Sequence, residues 1–226
     1  MKKTLLTFLF VAAVSSASFA QVSFGPKLGL GISNLKDTKT SNGSATSYSA
    51  IITPIVGVVL NAQLTDNFAI RPELLFLQRG AKGDLGGGTT LHYRASYIEV
   101  PINLVGGFQA GPGKLEAFVG PSFGFGLGGH YKVEGNGFSN SGSIKAKKMP
   151  ENFSGNNIYM NPINVSLNFG IDYKFDNGLL FQLGYNLGFS NIAPHYADSN
   201  LESKRNEDVT KASSVNFGIA YLFGGK

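Results

Sequence analysis

The chain has 226 residues, with 30 glycines and 18 phenylalanines but no cysteine and no tryptophan. The missing cysteine excludes disulfide scaffolds, thiolate metal sites and the acylated cysteine that anchors a lipoprotein. Setting aside Lys2 and Lys3, 17 Lys and Arg stand against 14 Asp and Glu, and this net +3 is too mild to point to nucleic acid.

Residues 1–20 come first and read as an address. Lys2 and Lys3 form a basic start, residues 5–14 an apolar core, and Ala17-Ser18-Phe19-Ala20 a small-residue end. That order is a secretory signal peptide, cleaved after Ala20, so the mature chain is expected to be one domain over residues 21–226. No later stretch holds about 20 consecutive apolar residues, so no membrane helix is expected. A membrane-embedded chain would then have to be a closed barrel, because lipid offers backbone groups no other partner.

Eight segments of period two follow, each reading as a strand with one apolar face. The first sets Val22, Phe24, Pro26, Leu28, Leu30 and Ile32 against Ser23, Gly25, Lys27, Gly29, Gly31 and Ser33. A second, less regular, has Pro54, Val56, Val58 and Leu60 outside Ile55, Gly57, Val59 and Asn61, and a third has Phe68, Ile70, Pro72, Leu74 and Phe76. The fourth carries Ile98, Val100, Ile102 and Leu104. In the fifth, Leu115, Ala117, Val119, Pro121, Phe123, Phe125 and Leu127 alternate with residues that include Gly120, Gly124, Gly126 and Gly128. Segments over residues 163–174, 179–190 and 215–223 complete the set. Most run to about 10 residues or more, enough for a tilted strand to cross the hydrocarbon core.

The connections alternate in length. Short turns are expected at residues 65–67, 109–114 and 176–178, with Pro-Gly or Asn-Gly chemistry in the last two. Long polar links are expected over residues 34–50, 79–92, 130–161 and 191–212. Short turns at one end and long loops at the other match the outer-membrane layout, with both termini and the turns periplasmic and the loops extracellular. The fold class is therefore all-β: an eight-stranded antiparallel up-and-down transmembrane β-barrel.

The second face is rich in Gly, Ser and Asn, a poor solvated surface but a good filling for a narrow bore. With the apolar face toward lipid, Lys27, Arg71, Glu73, Arg79, Glu99, Glu116, Asp172 and Lys174 fall in the lumen. Four are basic and four acidic, and mutual pairing is the expected way to hold them there.

Candidate chemistry is sparse. His92, His130 and His195 all fall in or beside the long links, and Asp198 and Ser199 follow His195. A serine hydrolase built on the rim needs a geometry that no spacing here specifies, and three scattered histidines do not define a metal site. Gly124 to Gly129 lies inside a strand and so is no phosphate loop, which must open a helix. No catalytic, cofactor or metal residue is expected, and no cofactor. In the third link, residues 131–134 and 144–148 read as two strands continuing past the membrane, with Lys145, Lys147 and Lys148 facing either water or the sugar-phosphate surface of lipopolysaccharide.

Three segments carry a resemblance: Arg71-Pro72-Glu73-Leu74-Leu75-Phe76, Tyr97-Ile98-Glu99-Val100-Pro101 and Val119-Gly120-Pro121-Ser122, joined by residues 184–192. In this order they resemble the PorT-type outer-membrane barrels of Bacteroidetes. The resemblance implies an integral barrel of this size with no shared catalytic motif, some relatives being tied to gliding and secretion of surface proteins. One departure is Gly224-Gly225-Lys226 after Phe223, since such barrels commonly end on an aromatic residue. The expected role is structural or surface-interacting and not enzymatic, the rivals being a lipid-modifying enzyme and a narrow transporter. Expected partners are outer-membrane lipids, lipopolysaccharide and envelope or secretion proteins, met by a monomer.

Overall fold

The computed structural model describes residues 21–39, 47–135, 137–151, 155–205, 207 and 209–224. The expected signal peptide, residues 1–20, lies outside them. The strands are β1 (Gln21–Lys39), β2 (Ser47–Gln63), β3 (Phe68–Asp84), β4 (Thr90–Gln109), β5 (Gly113–Gly135), β6 (Phe138–Ala146), β7 (Asn157–Met160), β8 (Ile163–Phe175), β9 (Leu179–Gly188) and β10 (Val209–Tyr221). A short helix, α1 (Ser199–Lys204), lies between β9 and β10. Among the described residues no helix is long and apolar enough to cross a membrane.

Eight strands close a ring. The order runs β1, β2, β3, β4, β5, β8, β9, β10 and back to β1, every neighbouring pair antiparallel. The closure leaves no free edge within the ring, which is what a sheet in lipid requires. β6 and β7 stand outside it. β6 pairs with the upper part of β5, Lys132 opposite Ser141, and β7 runs parallel to β6, Ile144 opposite Ile158.

The apolar face points out. Phe24 and Leu28 are each 63% exposed, while Lys27 beside them is 5% exposed. Phe125 and Ile163 are likewise exposed, and Ser122, Asn164 and Asn168 are buried. Exposed Phe, Leu, Ile and Val from all eight ring strands form a continuous belt around the barrel.

The short turns fall where expected. Gly178 takes the left-handed conformation at φ 93° and its amide donates to the Phe175 carbonyl at 3.0 Å. Asn177 Oδ1 then accepts the Leu179 amide at 3.0 Å. Phe223 bridges to Phe24, so an aromatic residue does close the ladder just inside the terminal glycines.

At the opposite end the strands run well past the expected boundaries. Much of what reads as loop is ladder, with Leu35 opposite Ala212, Lys82 opposite His92 and Thr90 opposite Glu134. Beyond the belt both faces of a strand can meet polar surroundings, so the two-residue apolar period fades while the backbone pairing continues. The links that remain are shorter than expected; residues 85–89 connect β3 to β4.

The bore is not uniformly polar. At the long-loop end Leu77 and Tyr97 pack with Ile144 of β6 and Met160 of β7 in one buried cluster. The Met160 methyl occupies the space that a Cβ on Gly126 would fill, and its sulfur accepts the Tyr93 hydroxyl at 3.4 Å. Toward the short-turn end, Val59, Leu180, Ala220 and Leu222 form one apolar cluster and Ala69, Val105 and Phe118 another. The last link folds over the third: Met149 N donates to His195 O at 2.8 Å and Asn161 N to Ile192 O at 2.9 Å.

The side chain of Met160 is therefore a stopper held by the external sheet, the part of the sheet beyond the ring formed by β6, β7 and the far end of β5. Replacing it by alanine is expected to cost about 2–5 kcal/mol locally, the usual penalty for emptying a packed site. Amide hydrogen exchange across β6 and β7 should speed up accordingly, while Phe138→Ala, at an exposed position, should leave it unchanged.

Candidate functional site

All eight lumen charges expected from the alternation lie inside the ring, and all are paired. Nearest the short turns, the Arg71 guanidinium donates to both Glu116 and Asp172, the latter at 2.7 Å, and its Nε reaches Asn61 Oδ1 at 3.0 Å. Lys174 approaches Glu116 at 3.6 Å and is the most exposed of the set, near the opening. In mid-bore Lys27 donates to Glu73 at 2.5 Å and to Gln182. Asn103 adds a bond to the same carboxylate at 3.3 Å. Above it Arg79 donates to Glu99 at 2.5 Å and to Ser214 at 3.0 Å. The second oxygen of Glu99 accepts Ser122 at 2.8 Å and Asn186 at 3.1 Å.

The Lys27 and Arg71 tiers join strands that are not neighbours, whereas Arg79 and Glu99 lie on adjacent β3 and β4 and that tier crosses the bore through Ser214 on β10 and Asn186 on β9. Lys27 lies on β1, Glu73 on β3 and Gln182 on β9, so the contact crosses the bore. Arg71 spans from β3 to β5 and β8 in the same way. A charge held out of water costs several kcal/mol unless paired and hydrogen-bonded; every charge here has an ion partner, while Arg79 Nε and Asp172 Oδ1 are left without a hydrogen bond among the described residues. The neutral partners Asn61, Asn103, Gln182 and Asn186 lie on the lumen face that the alternation defines, but no sequence pattern says which charge each one meets. Ser214 precedes the last apolar segment and has no such signal.

Little space is left. A mid-bore cavity of about 20 Å³, lined by Lys27, Glu73, Glu99 and Gln182 among others, holds roughly one water. At the short-turn end a vestibule of about 850 Å³ opens between Asn61, Lys114, Lys174 and Phe223. The Arg71 tier closes it from above.

The imidazoles fall in two places. His92 on β4 and His130 on β5 share the outer face of the external sheet, where His92 lies 3.6 Å from Glu134. Lys132 donates to Glu134 at 2.5 Å and holds that carboxyl below its ordinary range. His195 meets Glu202 of α1 at 2.7 Å. The Tyr196 amide, donating first, and His195 hold Glu202 below the usual carboxylate range. Asp198, three residues beyond His195 in sequence, instead caps α1 by accepting from Asn200 N and Leu201 N. His195 thus clasps a loop. Among the described residues no three His, Asp or Glu side chains come together as a metal site.

Lys145 and Lys147 line a groove on the outer face of β5 and β6, and Lys147 lies over the Tyr159 ring at 6.0 Å. Ile144 and Met160 are legible in the sequence only as isolated apolar residues in a polar link.

A closed eight-stranded ring with an apolar exterior and a filled, charge-paired interior defines an outer-membrane β-barrel. Residues 16–193 match the family described as outer membrane protein beta-barrel domain, and the chain belongs to that family. No curated protein matches the sequence. The barrel is similar to the attachment invasion locus protein Ail of Yersinia pestis, at 13% identity over 90% of this chain and 99% of that one, TM-score 0.42. It is also similar to a major outer membrane protein of Thermus thermophilus, at 13% identity over 89% and 99%, TM-score 0.47. Neisserial surface protein A matches at 9% identity over 88% and 97%, TM-score 0.42.

Arg71 holds two carboxylates, so Arg71→Met should cost about 3–5 kcal/mol in urea unfolding from lipid vesicles. The triple variant Arg71→Met, Glu116→Gln, Asp172→Asn should recover most of that loss, because the one charge it leaves without a carboxylate is Lys174, the group nearest the opening.

Proposed function

We propose that this protein is a non-conducting outer-membrane scaffold whose long-loop end is a contact surface outside the cell, with both termini and the short turns in the periplasm. The observation that supports this reading is the filling of the bore. Three tiers of ion pairs fill it, two of them crossing from wall to wall, and Met160 and Ile144 stop its outer end. A barrel of eight strands has little room for a path once its side chains are in place. What remains available is the external sheet built from the extended strands, with the α1 loop bound over it.

We take envelope proteins as the partner class for this surface, because the Arg71–Phe76, Tyr97–Pro101 and Val119–Ser122 segments resemble PorT-type barrels, some of which are tied to secretion and gliding. Those segments lie in the barrel wall, so the partner-specific residues belong to the external sheet.

Two readouts test the proposal. Because the chain has no cysteine, a single one at Leu85 should react with a membrane-impermeant maleimide in intact cells, and one at Asn177 should not. In planar bilayers the purified protein should give no discrete conductance steps. Reproducible steps, or labelling with the opposite sidedness, would overturn it.

A further inference from the structure

The outer face of the external sheet carries a two-lobed groove directly above the apolar belt. One lobe, about 480 Å³, is lined by His92, Arg94, His130, Lys132, Ser141 and Ser143 among others. The second, about 430 Å³, shares His130 and Ser143 and adds Leu127, Lys145 and Lys147. Strand register explains the clustering: Arg94, His130 and Ser143 form one cross-strand row, and His92, Lys132 and Ser141 the next.

A β-bulge creates this surface. Up to Leu127 the odd-numbered residues of β5 face outward, with Phe123, Phe125 and Leu127 all exposed. The register with β4 then shifts opposite Ser96 and Tyr97, where Gly128 takes φ 100°, a conformation that favours glycine. Past the bulge the even-numbered His130 and Lys132 are the exposed ones. Without that shift they would point toward the bore and Tyr131 and Val133 would face out.

The height is informative. His130 lies three residues beyond Leu127, about 10 Å along a strand. On a strand tilted by about 35–45° this is a rise of roughly 7–8 Å, which leads from the edge of the hydrocarbon into the headgroup layer, roughly 5–8 Å deep on each side. Phosphate is the group that a cluster of guanidinium, ammonium and imidazole with neighbouring hydroxyls suits, each cation supplying charge-assisted hydrogen bonds. Among the described residues two acids share this face one row further on: Asp84, across Thr90 from Glu134, and Glu134 itself, which engages Lys132 at 2.5 Å and lies 3.6 Å from His92.

We propose that this groove binds the phosphate of a phosphorylated glycolipid in the surrounding leaflet, whose acyl chains lie along Leu127, Phe125 and Ile163. The belt orients the lipid and the bulge turns the cations toward its headgroup. The proposal rests on the long-loop end lying in the outer leaflet, but its test uses purified protein and is independent of orientation in the cell.

The folded full-length barrel in detergent would be titrated with diphosphoryl lipid A, with dephosphorylated lipid A and with inorganic phosphate, and adducts read by native mass spectrometry. The diphosphoryl lipid should bind at least about tenfold more tightly than its dephosphorylated form, and equimolar phosphate should not displace it. Arg94→Ala and Lys132→Ala should each weaken the adduct about fivefold, the usual effect of one cation at a lipid surface. Glu134→Gln should strengthen it by releasing Lys132. These side chains lie outside the bore, and heat-modifiable gel mobility verifies that each variant is folded. Equal binding of the two lipids, full binding by the Arg94→Ala, Lys132→Ala double variant, or displacement by free phosphate would each overturn the proposal.

Discussion

The structure depends on backbone hydrogen bonding in a medium that offers none. A sheet meets that constraint by closing, and eight strands close around a bore that side chains must fill. The polar face of the ring then cannot hold isolated charges. Arg71 and Lys27 reach across to carboxylates on distant strands, Arg79 pairs with one on the next strand, and Asn and Ser side chains take up further bonding capacity. Closure and charge pairing are two consequences of one requirement.

The same requirement ends at the edge of the belt. Beyond it water can satisfy an edge, and the chain uses that freedom. β5 exchanges β8 for β6 as its partner above Phe125, and β7 adds a parallel strand that would have an unpaired edge in lipid. The two ends of the bore consequently differ: a vestibule lined by Lys114 and Lys174 at one, a Met160 stopper at the other.

Much of this is legible from residue order. The alternation of Phe24, Leu28 and Leu30 with Lys27 and Gly29 marks an outward and an inward face, and the same reading locates all eight lumen charges. It does not choose partners, because pairing Lys27 with Glu73 and Gln182 depends on strand stagger across the bore. The far ends of β3 and β4 read as loops since residues such as Lys82 and His92 show no apolar period even though their backbones pair, whereas the continuation of β5 and the end of β6 are legible as strands. Gly128 looks like one more small lumen residue, whereas it is the bulge that reverses which side chains face out. Met160 requires knowledge that the third link folds back over the bore, a long-range event with no local signature.

The central claim is that the aliphatic and phenylalanine face meets acyl chains while large lumen side chains do not. The absence of native tryptophan makes this directly measurable. Tryptophan would replace, one at a time, the exposed Phe125 and Phe169 and the buried Tyr97 and Phe118, in vesicles of lipids with brominated acyl chains. Strong quenching at positions 125 and 169 with little at 97 and 118 is the predicted result. Quenching in the reverse pattern would mean that the barrel is inside out and that its exterior is not a lipid-facing surface.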